Sequence, residues 1–170
     1  MKNAQEWLEQ DYPLNDVYQG GFINNYNRWK RRNEVEKIYV NPVNGLEGSL
    51  KLEGFDSLKE FNCENSWITE LELTNAYNLR KINCSNNNLS KLNLKNLNNL
   101  EELDCSNNNL NKLDISGCHN LKSLKINGNI ININQVIGIE ILWKNINAKK
   151  TNKNYYSQEQ EIEYCDRFEW

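Results

Sequence analysis

Three cysteines, Cys63, Cys84 and Cys105, are each 21 residues apart. Thiols on a fixed period could hold a soft metal ion or form a redox pair. Zinc sites and dithiol oxidants, however, use close pairs of the C-x-x-C kind, and no such pair occurs here. A long, constant step is the mark of a repeated structural unit, in which cysteine serves as a small buried hydrophobe. Cys118 stands beside the only histidine, His119. A thiol with an adjacent imidazole can be a nucleophile with its base, but it needs a third group to orient the base, and none is evident. Both residues read as part of a variable loop before Leu121. No phosphate-cradling motif, catalytic carboxylate pair or Ser-His-Asp set stands out. The sequence therefore predicts no enzyme and assigns no catalytic, cofactor or metal-binding residue.

The same step governs the rest of the chain. Leu58, Leu79, Leu100 and Leu121 form one column, Phe61, Ile82, Leu103 and Leu124 the next, and Cys63, Cys84, Cys105 and Ile126 a third. Ser66, Asn87, Asn108 and Asn129 follow, then Ile68, Leu89, Leu110 and Ile131. Leu50, Leu71, Leu92, Leu113 and Leu52, Leu73, Leu94, Ile115 complete the period. Segments such as Ile82-Asn83-Cys84 alternate apolar and polar, so each unit contributes a strand with one buried face. A degenerate first copy holds Ile38, Val40, Asn44 and Leu46, with one extra residue near Pro42.

The pattern L-x-x-L-x-C-x-x-N-x-L, followed by a half such as Leu110-Asn111-Lys112-Leu113-Asp114-Ile115, resembles the leucine-rich repeat family, in its 21-residue class. The resemblance covers about residues 35 to 136. It implies an α/β repeat fold, a leucine-rich repeat solenoid with a parallel concave β-sheet. It also implies that Asn87, Asn108 and Asn129 turn inward and bond the loop backbone, a role for which Ser66 is too short. The family binds many partners, so the resemblance names no ligand.

Strand positions between the buried ones are expected to face outward in three stripes. Lys37, Glu60, Lys81, Glu102 and Ser123 form the first, with alternating charge that favours cross-strand pairing. Tyr39, Asn62, Asn83, Asp104 and Lys125 form the second, and Asn41, Glu64, Ser85, Ser106 and Asn127 the third. The second and third stripes are the candidate protein-binding face. Five strands at ~4.8 Å and a strand width of roughly 10–15 Å give it on the order of 300 Å². A stable interface takes ~800 Å² from each partner, so this face must borrow its flanks or bind weakly.

The flanks divide the chain further. Asn3 and Glu6 read as an N-cap and capping-box pair, so residues 1–14 are expected to form a short N-terminal capping helix, ended by Pro13, that covers the first repeat with Trp7 and Leu8. Residues 15–34 read as a connector, with Lys30-Arg31-Arg32 a solvated stretch. The array is expected to span 35–143, its last piece, Val136–Trp143, being a closing strand. Residues 144–170 read as a polar loop to Asn154 and a C-terminal helix carrying Ile162, Cys165 and Phe168.

Composition narrows the function. About one residue in five is asparagine, an excess consistent with an AT-rich genome. The net charge of -3 argues against a general nucleic-acid or anionic-membrane surface. No apolar h-region opens the chain and no run is long enough for a membrane span. Unpaired periodic thiols suit a reducing compartment. The expectation is an intracellular, cytoplasmic monomer that presents a polar concave face to a protein partner. The competing reading is a structural or regulatory segment of a larger protein with no ligand of its own. An exposed aromatic cluster among Trp29, Tyr39 and Trp67 would favour binding.

Overall fold

The computed structural model describes residues 2–12, 31–40, 45–73 and 75–150, with side chains described to residue 147. Consecutive turns of chain stack into a solenoid that carries two parallel sheets. One sheet is the expected five-stranded ladder. Its strands are β2 (Lys37–Tyr39), β4 (Glu60–Asn62), β6 (Lys81–Asn83), β7 (Glu102–Asp104) and β8 (Ser123–Lys125), in that order. The other is a three-stranded sheet of β1 (Lys2–Asn3), β3 (Leu46–Lys51) and β5 (Trp67–Glu72).

The columns set the core. Leu58, Leu79, Leu100 and Leu121 are fully buried, as are Cys63, Cys84 and Cys105. Each lies over its neighbour one turn away, so every turn buries its apolar residues against the next. Cys118 belongs to this core as well. With Phe55, Ala76 and Leu97 it forms a further buried column on the same 21-residue step; the loop expected before Leu121 is present as two turns, but it sends the Cys118 side chain into the core. All four described cysteines are free and buried.

Asparagine holds the turns together, and its abundance has a structural cause. Asn87 Nδ2 donates to the carbonyls of Cys63, Cys84 and Ser85 at 2.9, 3.1 and 3.1 Å, while its Oδ1 accepts from Ile68 N at 3.0 Å. Asn108 repeats the set one turn on. Asn129 bonds Cys105, Ile126 and Leu110. Ser66, in the same column, is buried and its hydroxyl has no partner. A second ladder is made by Asn78, Asn99 and Asn120, whose amides donate to the carbonyls of Asp56, Tyr77 and Asn98 in the preceding turn. Asn65, Asn86 and Asn107 take left-handed φ values of 55°, 55° and 52°. Among non-glycine residues asparagine is one of the few that adopts this region readily. Gly128 fills the same column, where a Cβ would lie 2.1 Å from Asn107 Oδ1.

The first end is closed by α1 (Ala4–Asp11). Asn3 Oδ1 accepts from the amides of Gln5 and Glu6 at 2.9 and 3.0 Å, forming the expected N-cap. Ala4, Trp7 and Leu8 enter the core, and Gln5 Oε1 accepts from Lys51 N at 2.8 Å. The basic stretch is corrected at Arg32 alone, since Arg31 is exposed and Lys30 lies outside the described residues. Arg32, in a 3-10 turn over Arg32–Glu34, is 4% exposed and lies over the Phe55 ring. Its guanidinium donates to the carbonyls of Tyr12 and Glu53 and pairs with Glu9 Oε2 at 3.1 Å. An arginine can be buried when its donors are met this fully.

The other end also departs from expectation. Val136–Trp143 is no strand. Ile137 makes a single bridge to Asp114. The chain then turns at Gly138 (φ 83°), where a Cβ would lie 2.7 Å from Ser116 backbone atoms. From there α2 runs over Ile139–Lys150, replacing both the strand and the first part of the expected loop. Leu142 is buried, with Ile139 and Ile146 packed against the core. Their spacing of three and four residues is that of one helix face. The helix expected beyond Ser157, with Ile162, Cys165 and Phe168, lies outside the described residues, as do Pro13 and most of the connector. Among the described residues no helix is long and apolar enough to cross a membrane.

Candidate protein-docking face

The five short strands carry their outward residues in strict register. Lys37, Glu60, Lys81, Glu102 and Ser123 are direct neighbours from strand to strand, and so are Tyr39, Asn62, Asn83, Asp104 and Lys125. The first two stripes therefore exist as drawn from the sequence. In the third, Glu64 is half-buried and Asn127 exposed, while Asn41 lies outside the described residues. Ser85 and Ser106 do not belong to an exposed face. They are buried, and their hydroxyls donate to Asn83 Oδ1 at 2.8 Å and Asp104 Oδ1 at 2.6 Å. The reason is local. Asn83 Oδ1 and Asp104 Oδ1 also accept the backbone N–H two residues on. That bend ends the strand, so in-out alternation stops at Cys84 and Cys105.

The stripes are tied internally. Lys37 Nζ pairs with Glu60 Oε1 at 2.8 Å, Lys81 Nζ with Glu102 Oε1 at 2.8 Å, and Lys125 Nζ with Asp104 Oδ2 at 3.7 Å. Tyr39 donates its hydroxyl to Glu60 Oε2, and Asn83 Nδ2 donates to Glu64 Oε2 at 2.7 Å. Hydrogen bonds from Lys37 and Tyr39 hold the Glu60 carboxyl below its ordinary pKa. The same bonds raise Lys37 and Tyr39 above theirs, and Glu102 raises Lys81. All of this network faces solvent, where such pairs add little to stability. Beside it runs a charged row that the sequence reading passed over: Glu36, Lys59, Arg80, Glu101 and Lys122. Lys59 pairs with Glu36 at 2.8 Å, and Glu101 with both Lys122 and Arg80. The 21-residue step, applied to the position before each strand, would have found it.

Above the stripes lies an open depression of about 310 Å³, bounded by Tyr39 at one end and Lys125 at the other. That volume is at the floor of the ~300–1,000 Å³ typical of small-molecule sites, which are also mainly apolar. Here apolar surface, including that of Phe61, Ile82 and Leu103, is mixed with the carboxamides, carboxylates and ammonium groups of the stripes. Such an open, mixed floor suits side chains of a polypeptide laid across it. Among the described residues no group of histidine, cysteine and carboxylate side chains is placed to hold a metal ion. No protein-family model matches the chain, and no curated protein matches it in sequence.

Proposed function

We propose that this chain is a leucine-rich repeat solenoid of the 21-residue class, acting as a non-enzymatic protein-interaction module inside the cell. Its docking floor is the rung Tyr39, Asn62, Asn83, Asp104 and Lys125, with Glu64 and Asn127 at the border. The observation that carries this reading is the open depression, rimmed by polar side chains, over a sheet whose side chains are fixed in one register. A rigid floor loses little conformational freedom on binding, which favours recognition. The reducing interior suits the free, buried cysteines. The small area of the floor implies modest affinity or use of the flanks.

The second reading, a structural segment without a ligand, draws on the pairing of Lys37, Lys81 and Lys125 with carboxylates of the same sheet. Capture of partners from the native cell, compared between wild type and Asn62→Ala with Asn83→Ala, separates the two. Partners lost from the variant alone support docking on this floor. An identical set with both proteins, or no enriched protein with either, supports the structural role.

A further inference from the structure

The charges of the concave sheet are matched within it, but those of the three-stranded sheet are not. On the three-stranded sheet and its edges four exposed carboxylates, Glu47, Glu53, Glu70 and Glu72, stand with two lysines, Lys51 and Lys2, and Lys2 Nζ donates to Gln10 Oε1 at 2.6 Å. Lys51 is shared between Glu53 at 3.4 Å and Glu72 at 3.9 Å. Among the described residues Glu47 and Glu70 form no ion pair. Trp67 is the register partner of Glu47 and is 55% exposed. Asn3, Glu47 and Trp67 thus form one row across β1, β3 and β5. An indole this open, on a strand with a buried apolar side, has a face to offer. Its neighbour one strand away, ~4.8 Å off, is an unmatched carboxylate.

We propose that this face is a second docking surface, separate from the concave floor, which takes an arginine-bearing segment of a partner protein. A guanidinium stacks on the Trp67 ring while the Glu47 carboxylate accepts its N–H groups. Arginine fits this pairing better than lysine, because its planar group stacks and forks at once. Glu70 stands three residues from Trp67 along β5, about 10 Å at ~3.3 Å per residue. A second cation a few residues along an extended partner reaches it. The unmatched carboxylates also supply the long-range attraction that brings such a segment in.

The test uses the full chain, isotope-labelled so that each tryptophan indole N–H is followed separately. It is titrated with a synthetic peptide of alternating arginine and serine, and with a glutamate–serine peptide as control. The arginine peptide is expected to move the Trp67 indole signal, and the glutamate peptide to move none. Trp67→Ala should weaken binding about tenfold, which corresponds to ~1.4 kcal/mol. Trp67→Phe should retain part of it, because phenylalanine offers a weaker ring. Glu47→Gln with Glu70→Gln should weaken it further than Asp56→Asn with Glu140→Gln, which removes the same charge at exposed positions elsewhere. Equal loss in the two double variants would reduce the effect to net charge and overturn the proposal. So would unchanged affinity in Trp67→Ala, or movement of signals from the concave strands alone. None of these variants alters the concave floor, so its role stands or falls separately.

Discussion

The side-chain amide of Asn145, on α2, donates to the backbone carbonyl of His119 at 2.8 Å. His119 continues the series Asp56, Tyr77 and Asn98, whose carbonyls each accept from an asparagine of the following turn. After His119 no further turn follows to supply that asparagine. A helix supplies it instead, and the same amide also reaches the Leu121 carbonyl at 2.8 Å. The solenoid is thus closed by a side chain that imitates the next repeat.

Asn145→Ala should therefore loosen the last turn without unfolding the array. The two bonds lie near the surface, so a loss of about 1 kcal/mol is expected. Hydrogen exchange should quicken in α2 and around His119, while β6 and β7 stay protected. Unchanged exchange in α2 would show that Leu142 and Ile146 alone hold the helix.

Asn108→Ser should reproduce at the centre of the array the gap seen at Ser66. It leaves the Leu89 amide without its acceptor and the Cys84, Cys105 and Ser106 carbonyls without that donor. A buried unsatisfied group costs ~1–3 kcal/mol, so a destabilisation of about 2–3 kcal/mol is expected from the denaturant midpoint. The same change at Asn129, which is only half-buried, should cost less. Equal effects at both sites would argue against burial as the cause.

The thiols predict alkaline sensitivity. Burial pushes Cys84 and Cys118 up to about 12, from an ordinary value of 9.0. A raised folded pKa means that the native state holds its proton after the unfolded chain has released it. The stabilisation is complete below pH 9 and is lost as pH rises from there towards 12. Cys84→Ala should flatten this alkaline fall in stability, although it lowers stability at neutral pH. In a Cys165→Ser background, native labelling of all four buried thiols should be slow and become fast on denaturation. Rapid labelling of the native protein would contradict their burial.

Deleting residues 1–14 should uncover β3 and the Arg32 site together. Trp7 and Leu8 leave the core, and the Arg32 guanidinium loses Glu9 and the Tyr12 carbonyl. The central turns should keep their circular dichroism, while light scattering reports association. A truncated chain that stays monomeric and equally stable would show that α1 contributes no necessary cover.

Much of the fold was legible because six columns kept their apolar character, and a seventh its asparagine in three copies of four, on one step. Knowing the step set the register of four strands before any coordinates; Lys37–Tyr39 lies 23 residues before Glu60–Asn62 and was placed by its own in-out alternation. What escaped notice broke the period or hid inside it. The column Phe55, Ala76, Leu97 and Cys118 changes size and chemistry at every turn, so it does not look like a column. β5 carries an extra residue, Thr69, opposite the step from Gly48 to Ser49, so its buried Ile68 and Leu71 are three apart, and Gly48 stands between the buried Leu46 and Leu50 of β3; both hide the alternation of a strand. Val136–Trp143 looked like a strand because of its β-branched residues; packing of Ile139, Leu142 and Ile146 overrode that propensity. The docking floor was legible where strand alternation holds and misjudged at Ser85 and Ser106, where a side-chain bond to the backbone ends the strand. Arg32 was unreadable, since its partners are carbonyls far away in sequence.

Ser66 has a mechanical consequence. A stack whose turns touch only their neighbours comes apart at its weakest interface rather than all at once. Here the asparagine clamp is present at Asn87, Asn108 and Asn129 and missing one turn earlier. Yet the boundary on the N-terminal side of Ser66 is bridged by both ladders, β2 with β4 and β3 with β5, whereas the described turns after it have no second ladder. The backbone of the smaller sheet thus stitches the seam that the serine leaves open, and the asparagine clamp takes over where that sheet stops.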